Sequence, residues 1–107
     1  MKKDEITRYF FGRSGEAVRK ISDALIADIQ EIRLRVNRPI AATVMGNVRY
    51  ITENGQLTYN PDSAVNVSEQ ELRRCFEAVC QYSVHSFQND ILGGFITIRG
   101  GHRVGIC

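Results

Sequence analysis

The spacing of the apolar residues changes at Glu31, and this change limits the possible folds more than any other feature of the chain. Before Glu31 the apolar residues recur at steps of three and four, as Val18, Ile21, Leu25 and Ile29. This spacing predicts an amphipathic helix over Gly15–Ile29. After it, Ile32, Leu34 and Val36 alternate with charged residues, which is the pattern of a half-buried β-strand. We therefore expect a helix packed on a sheet.

Turn signals divide the following residues into short strands. Asn37-Arg38-Pro39 ends the first strand, Gly46-Asn47 indicates a two-residue hairpin turn, and Asn54-Gly55 a type I′ turn. The strands expected before Asn60-Pro61-Asp62 cover residues 31–36, 40–45, 48–52 and 56–59. Two more strands are predicted at 95–99 and 102–106, joined by Gly100-Gly101.

Two helices are expected between these groups of strands. Ser68 and Glu71 form a capping box. The helix that they begin has an apolar stripe of Leu72, Phe76, Val79 and Cys80. Ser83 begins a shorter helix that ends at Gly93-Gly94. The predicted order is α-β-β-β-β-α-α-β-β, which indicates a single α+β domain over residues 1–107, with helices packed on a mostly antiparallel sheet.

Composition and missing motifs exclude several classes of function. The 107 residues include 14 Lys and Arg and 12 Asp and Glu, and the formal charge of +2 is too small for long-range attraction to nucleic acid or an anionic membrane. The sequence has neither a G-x-x-x-x-G-K-[ST] loop nor a C-x-x-C pair, and it contains only two His. We therefore expect no enzyme activity, cofactor or metal site in these residues. Cys75 and Cys80 fall on one predicted helix, outside disulfide geometry, and free thiols are typical of the cytoplasm.

Two groups of basic residues are candidates for function. Arg33 and Arg35 share one face of the first predicted strand with Arg38 just beyond, and such a row is either a solvent face or a contact with another domain or subunit. We call these three residues the strand arginines. The hairpin group, which surrounds the Gly100-Gly101 turn, consists of Arg99, His102 and Arg103. It is either an ordinary turn with solvated ends or a site where guanidiniums bind phosphate or carboxylate.

Two other functions are compatible with these residues. A free-standing nucleic-acid-binding module would use the basic strand and the Gly-Arg hairpin, but it has little net charge and no row of aromatic residues on which bases stack. A small-ligand sensor would need a cavity in a small core, and the sequence offers no cofactor anchor.

Three segments of the sequence together resemble the N-terminal region of the stage III sporulation protein AA family. They are Glu31–Pro39, Tyr82–Phe87 and Gly94–Gly105, and the last contains the specific run I-T-I-R-G-G-H-R-V-G. The resemblance implies a PAS-like α+β domain of the kind that precedes the core of secretion and type IV pilus motor ATPases. It also implies that a RecA-like ATPase domain follows in a longer parent. The strand periodicity that still runs at Cys107 agrees with that expectation.

The same resemblance implies a function for the parent protein. It would be a mother-cell ATPase of endospore-forming bacteria that energises a channel or secretion-like complex between mother cell and forespore. The chain itself would be non-catalytic and would contact its own ATPase domain and neighbouring subunits of a hexamer, while the parent binds ATP and magnesium. The hairpin group would contact nucleotide phosphates and the strand arginines would form an interface. We expect a cytoplasmic location beside membrane proteins of the channel complex, and no nucleic-acid partner.

Overall fold

The sheet has six strands, and its order is β4-β3-β2-β1-β5-β6 with every neighbouring pair antiparallel. The computed structural model describes residues 2–82, 95–99 and 103–106, with the backbone alone for 80, 82 and 103–106. The strands are β1 (Ile29–Arg35), β2 (Ala41–Val44), β3 (Asn47–Ile51), β4 (Leu57–Thr58), β5 (Phe95–Arg99) and β6 (Arg103–Ile106). The predicted α+β class with an antiparallel sheet is confirmed.

Four α-helices lie in the described part of the chain. They are α1 (Lys3–Ile6), α2 (Gly12–Lys20), α3 (Asp23–Ala27) and α4 (Glu69–Tyr82), with short 3₁₀ helices at Thr7–Tyr9 and Pro61–Ser63. The predicted helix after Ser83 and the predicted Gly100-Gly101 turn lie outside the described residues.

The prediction of one helix over Gly15–Ile29 is wrong, because the chain breaks at Ile21. Ile21 is extended, with ψ of 134°, and the Ser22 side chain accepts a hydrogen bond from the backbone N–H of Leu25 at 3.2 Å. This serine therefore caps a second helix, α3. The restart also shifts the buried face: Leu25 is 38% exposed while Ile26 is 2% exposed. Ile29 begins β1.

The alternation predicted for β1 is confirmed. Ile32 and Leu34 are fully buried, whereas Arg33 and Arg35 are exposed. Ile32 pairs with Ile98 across the sheet, so the buried face continues from β1 to β5. Together with apolar residues of the helices, these side chains form one hydrophobic core. The opposite side of the sheet, here called the outer face, therefore carries the arginines.

The predicted capping box of α4 is confirmed, and its glutamate has a second role. The Ser68 N–H donates to Glu71 Oε1 at 2.8 Å, and the Glu71 N–H donates to Ser68 Oγ at 3.1 Å. Glu71 Oε2 accepts from the N–H of Ser14, 3.1 Å away in the first turn of α2. The side chain of Phe11, the N-cap residue of α2, makes no capping hydrogen bond. Glu71 therefore caps two helices from a buried position.

Two hairpin turns differ from their predicted form. The β2–β3 turn is centred on Met45-Gly46, whose φ angles are 51° and 79°, and not on Gly46-Asn47. In the next turn, Gly55 has a φ of 79° and its N–H donates to the Thr52 carbonyl at 2.9 Å. Asn54 does not have a positive φ, so this turn is not type I′.

Candidate binding surface

The strand arginines lie together on the outer face. Arg33 and Arg35 project from alternate positions of β1, and both are exposed. Arg38 is the last residue of a turn that begins at Arg35, and its N–H donates to the Arg35 carbonyl at 3.2 Å. Asn37 occupies the left-handed region in this turn, with φ of 58°, and its N–H donates to the Val67 carbonyl at 2.7 Å. Asparagine tolerates this conformation better than most residues.

All three strand arginines line one pocket of about 320 Å³. Its other walls are mainly apolar and come from neighbouring strands and loops. The lining residues are Arg33, Arg35, Arg38, Pro39, Ala41, Val48, Tyr50 and Pro61. None of the lining residues in the described part of the chain is acidic. The predicted row of arginines therefore lines a concave surface and makes it basic.

Glu31 links the two groups of basic residues. Its Oε1 lies 3.5 Å from Nη2 of Arg33, and its Oε2 lies 3.5 Å from Nε of Arg99. The Thr43 hydroxyl donates to Oε1 at 3.4 Å. Glu31 and Arg99 are direct partners in the β1–β5 pairing, so they share the outer face. The carboxylate therefore connects the strand arginines to the hairpin group.

The hairpin group is placed only in part. The Arg99 side chain is 52% exposed at the end of β5. Arg103 is directly opposite Arg99 in the pairing of β5 with β6. His102 and the side chain of Arg103 lie outside what the structure describes. A contact with phosphate by these three residues stays a prediction.

The strand arginines differ in their partners. Arg33 shares the Glu31 carboxylate with Arg99. The guanidinium carbon of Arg35 lies 5.2 Å from the centre of the Phe95 ring, a cation–π distance. Arg38 makes no ion pair with any residue that the structure describes. Arg35 and Arg38 are therefore available to an incoming anion.

The sequence pattern alone did not single out Glu31, Tyr50 or Pro61 as part of a site. Glu31 lies two residues before Arg33 on a predicted strand, and this spacing is a signal that both share a face. Tyr50 reaches the site because Ala41 pairs with both Arg33 and Tyr50 in neighbouring strands. Pro61 begins the short 3₁₀ helix Pro61–Ser63, which no local signal connects to β1.

Outside this surface, the described side chains include one thiol, that of Cys75. Burial raises the pKa of the Cys75 thiol to about 12, so it is protonated and unreactive at neutral pH. No set of three or more His, Cys, Asp and Glu in the described residues is arranged to hold a metal ion. None of the described helices is long and apolar enough to cross a membrane.

Comparison with known proteins identifies the family. The family model for sporulation stage III protein AA matches residues 1–107. The chain belongs to the stage III sporulation protein AA family. Stage III sporulation protein AA of Bacillus subtilis (strain 168) is 27% identical to it over 91 residues, which are 85% of this chain and 26% of that protein. The chain thus spans about a quarter of that relative. No solved structure matches it.

Membership of the stage III sporulation protein AA family confirms the resemblance seen in the sequence. The match covers both the strand arginines and the hairpin group. A PAS-like domain stays a prediction, as does the division of the parent into domains. Chemically, the outer face of this family member offers exposed guanidiniums, which bind carboxylate or phosphate oxygens in pairs.

Proposed function

We propose that this chain is a non-catalytic assembly and regulatory domain of a sporulation ATPase. Its outer face would contact neighbouring subunits and its own ATPase domain. The observation that carries the proposal is the link through Glu31 between Arg33 and Arg99, which joins both groups of basic residues in one surface. Arginine is enriched at protein interfaces. Because Glu31 contacts both Arg33 and Arg99, a subunit that binds at Arg33 would also change the surroundings of Arg99.

The proposed regulatory role concerns the hairpin group. Arg99 is half exposed, and its ion pair with Glu31 is the weak, solvent-accessible kind that can be exchanged for another anion. A guanidinium placed beside a transferring phosphoryl group stabilises the charge that develops there. Arg99, Arg103 and His102 would supply such contacts to the ATP site of the natural protein.

The rest of the machinery would belong to the longer natural protein. Residues 1–107 contain no G-x-x-x-x-G-K-[ST] loop, so ATP and magnesium would bind a RecA-like domain outside them. That protein would form a hexamer in the mother-cell cytoplasm, beside membrane proteins of a channel or secretion-like complex that reaches the forespore. Membership of a sporulation family supports this setting.

Steady-state ATP turnover by the full-length natural protein tests the proposal. Arg99→Ala and Arg103→Ala should each lower kcat by about tenfold or more, because a charge contact in the transition state is lost. Arg13→Ala is the matched control, since Arg13 lies on α2 and pairs with exposed Glu53. Unchanged turnover in both hairpin variants, or a natural protein without a P-loop, would contradict the proposal.

The alternative of a nucleic-acid-binding module has less support. Single-stranded nucleic acid binds to basic grooves that also present exposed aromatic rings. On the described outer face, Tyr50 is only partly exposed and the ring of Phe95 lies beneath Arg35. Salt-dependent binding of an oligonucleotide by the chain, lost in Arg35→Gln, would favour this alternative.

A further inference from the structure

We propose that the pocket lined by the strand arginines binds an extended acidic segment of a neighbouring protein chain, with carboxylates at alternate positions and an apolar side chain close by. The inference deepens the proposed function and rests on it where the segment is assigned to another subunit. It names the chemistry of the partner, which the proposed interface leaves open.

The charge of the pocket favours an anionic partner. Three arginines line it, and no acidic residue of the described chain does. The nearby Glu31 carboxylate is shared between Arg33 and Arg99, at 3.5 Å from each. Neither Arg35 nor Arg38 forms an ion pair with any described residue. Bringing three guanidiniums to one concave surface is unfavourable unless an anion or water compensates for their repulsion.

The spacing of the arginines matches an extended peptide. Arg33 and Arg35 occupy alternate positions of β1, so their Cα atoms are about 6.5–7 Å apart. An extended ligand repeats its own side chains at the same interval. Carboxylates two residues apart can therefore each meet one guanidinium, with the two parallel N–H···O bonds that arginine favours. Arg38, beyond the turn at Asn37, can bind a third anionic group or the end of the segment.

The remaining walls favour a polypeptide over a polyphosphate. Pro39 and Pro61 have no backbone N–H, so these walls offer few donors to additional phosphate oxygens. Val48 also lines the pocket and is 51% exposed, beside partly exposed Tyr50. These surfaces are suited to an apolar side chain at a further alternate position of the segment, on the same face as the carboxylates. A volume of about 320 Å³ is at the small end for ligand pockets and holds one or two side chains.

Binding of a defined peptide tests this inference. The probe is fluorescein-labelled Leu-Ser-Glu-Ser-Glu-Ser-Glu, which presents its leucine and glutamates on one face when extended, and the matched control peptide is Leu-Ser-Gln-Ser-Gln-Ser-Gln. Fluorescence anisotropy with the chain should show binding of the acidic peptide and at least about tenfold weaker binding of the glutamine peptide. Arg35→Gln and Arg38→Gln should each weaken acidic-peptide binding by about fivefold or more.

The control variant is Arg73→Gln, which removes an exposed charge from α4, where Arg73 pairs with Glu69 at 3.1 Å. Its affinity for the acidic peptide should match the wild type. The inference is overturned if all three variants lose affinity equally, if both peptides bind alike, or if tripolyphosphate displaces the peptide at a lower concentration than free peptide does. Circular dichroism of each variant shows whether the fold is retained.

The failures of the two proposals can be told apart. If Arg35→Gln disrupts assembly of the full-length protein while the acidic peptide does not bind, the proposed subunit interface is supported and the proposal of an acidic segment as its partner is wrong. If the peptide binds as described while assembly and ATP turnover of the full-length variants are unchanged, the pocket stands and its assignment to a subunit contact is wrong.

Discussion

Oε2 of Glu31 lies 3.5 Å from Nε of Arg99, its direct partner across the β1–β5 pairing. The other carboxylate oxygen lies 3.5 Å from Nη2 of Arg33. Two groups of basic residues that are far apart in the sequence are therefore joined by one side chain. Any anion that binds Arg33 or Arg99 competes with the same carboxylate.

Glu31→Gln should raise the affinity of the chain for the acidic peptide by about threefold, because it removes the competing charge while keeping the shape of the side chain. The free energy of unfolding should change by less than about 1 kcal/mol, since these are partly exposed ion pairs. Anisotropy and urea unfolding measure the two effects. Glu53→Gln, which affects a pair with Arg13 elsewhere, is the control. A lower affinity in Glu31→Gln would show that Glu31 orients the arginines for binding and does not compete.

Glu71→Gln should lower the free energy of unfolding by about 1–3 kcal/mol. Both carboxylate oxygens accept backbone N–H groups, from Ser68 at 2.8 Å and Ser14 at 3.1 Å. A glutamine has one such oxygen, so its amide NH₂ would face a buried N–H donor. Urea unfolding measures the loss, and Glu77→Gln on the exposed side of α4 should change it by less than about 0.5 kcal/mol. Equal stability of the two variants would exclude the double capping role.

Gly55→Ala should destabilise the chain more than Gly46→Ala. Both glycines have φ of 79°, so both substitutions force alanine into the left-handed region, at about 1–2 kcal/mol. A Cβ on Gly46 meets nothing within 4 Å, whereas one on Gly55 lies 2.5 Å from the carbonyl carbon of Lys20. The free energy of unfolding should fall by at least about 1 kcal/mol more for Gly55→Ala than for Gly46→Ala, because backbone atoms must move. Equal unfolding midpoints in urea would show that the β3–β4 turn does not pack against the end of α2.

Cys75 should make stability fall with pH in the alkaline range. Burial raises its pKa from 9.0 to about 12, so above pH 9.0 the thiol ionises in the unfolded chain before it does in the folded one. Its contribution to stability is complete below pH 9.0 and is lost as the pH rises towards 12. Between these values the free energy of unfolding of the wild type should fall more steeply than that of Cys75→Ala, by up to about 1.4 kcal/mol per pH unit. Parallel pH profiles would contradict the burial of the thiol.

The sequence predicted the features that depend on local spacing. The alternation of Ile32 and Leu34 with arginines and the capping box of Ser68 and Glu71 are both read within a few residues, and both are confirmed. The sequence did not predict the break at Ile21, because the same apolar spacing fits one long helix. In the structure α2 ends before Ile21, and Ser22 caps a separate helix, α3.

The contacts that build the site depend on pairing between distant residues. The link from Glu31 to Arg99 depends on the register of β1 with β5, and the bond from Ser14 to Glu71 joins residues 57 positions apart. A one-residue change of register would place Arg99 on the other face. No pattern within a single strand contains that information.

Sedimentation velocity of the full-length natural protein, with a non-hydrolysable ATP analogue, tests the central claim that the outer face is a subunit contact. The wild type and Arg73→Gln should sediment as the same large oligomer. The double variant Arg35→Gln/Arg38→Gln should form this oligomer only at protein concentrations at least about tenfold higher, because two arginine contacts are lost at each interface. An unchanged oligomer distribution in the double variant would contradict the account.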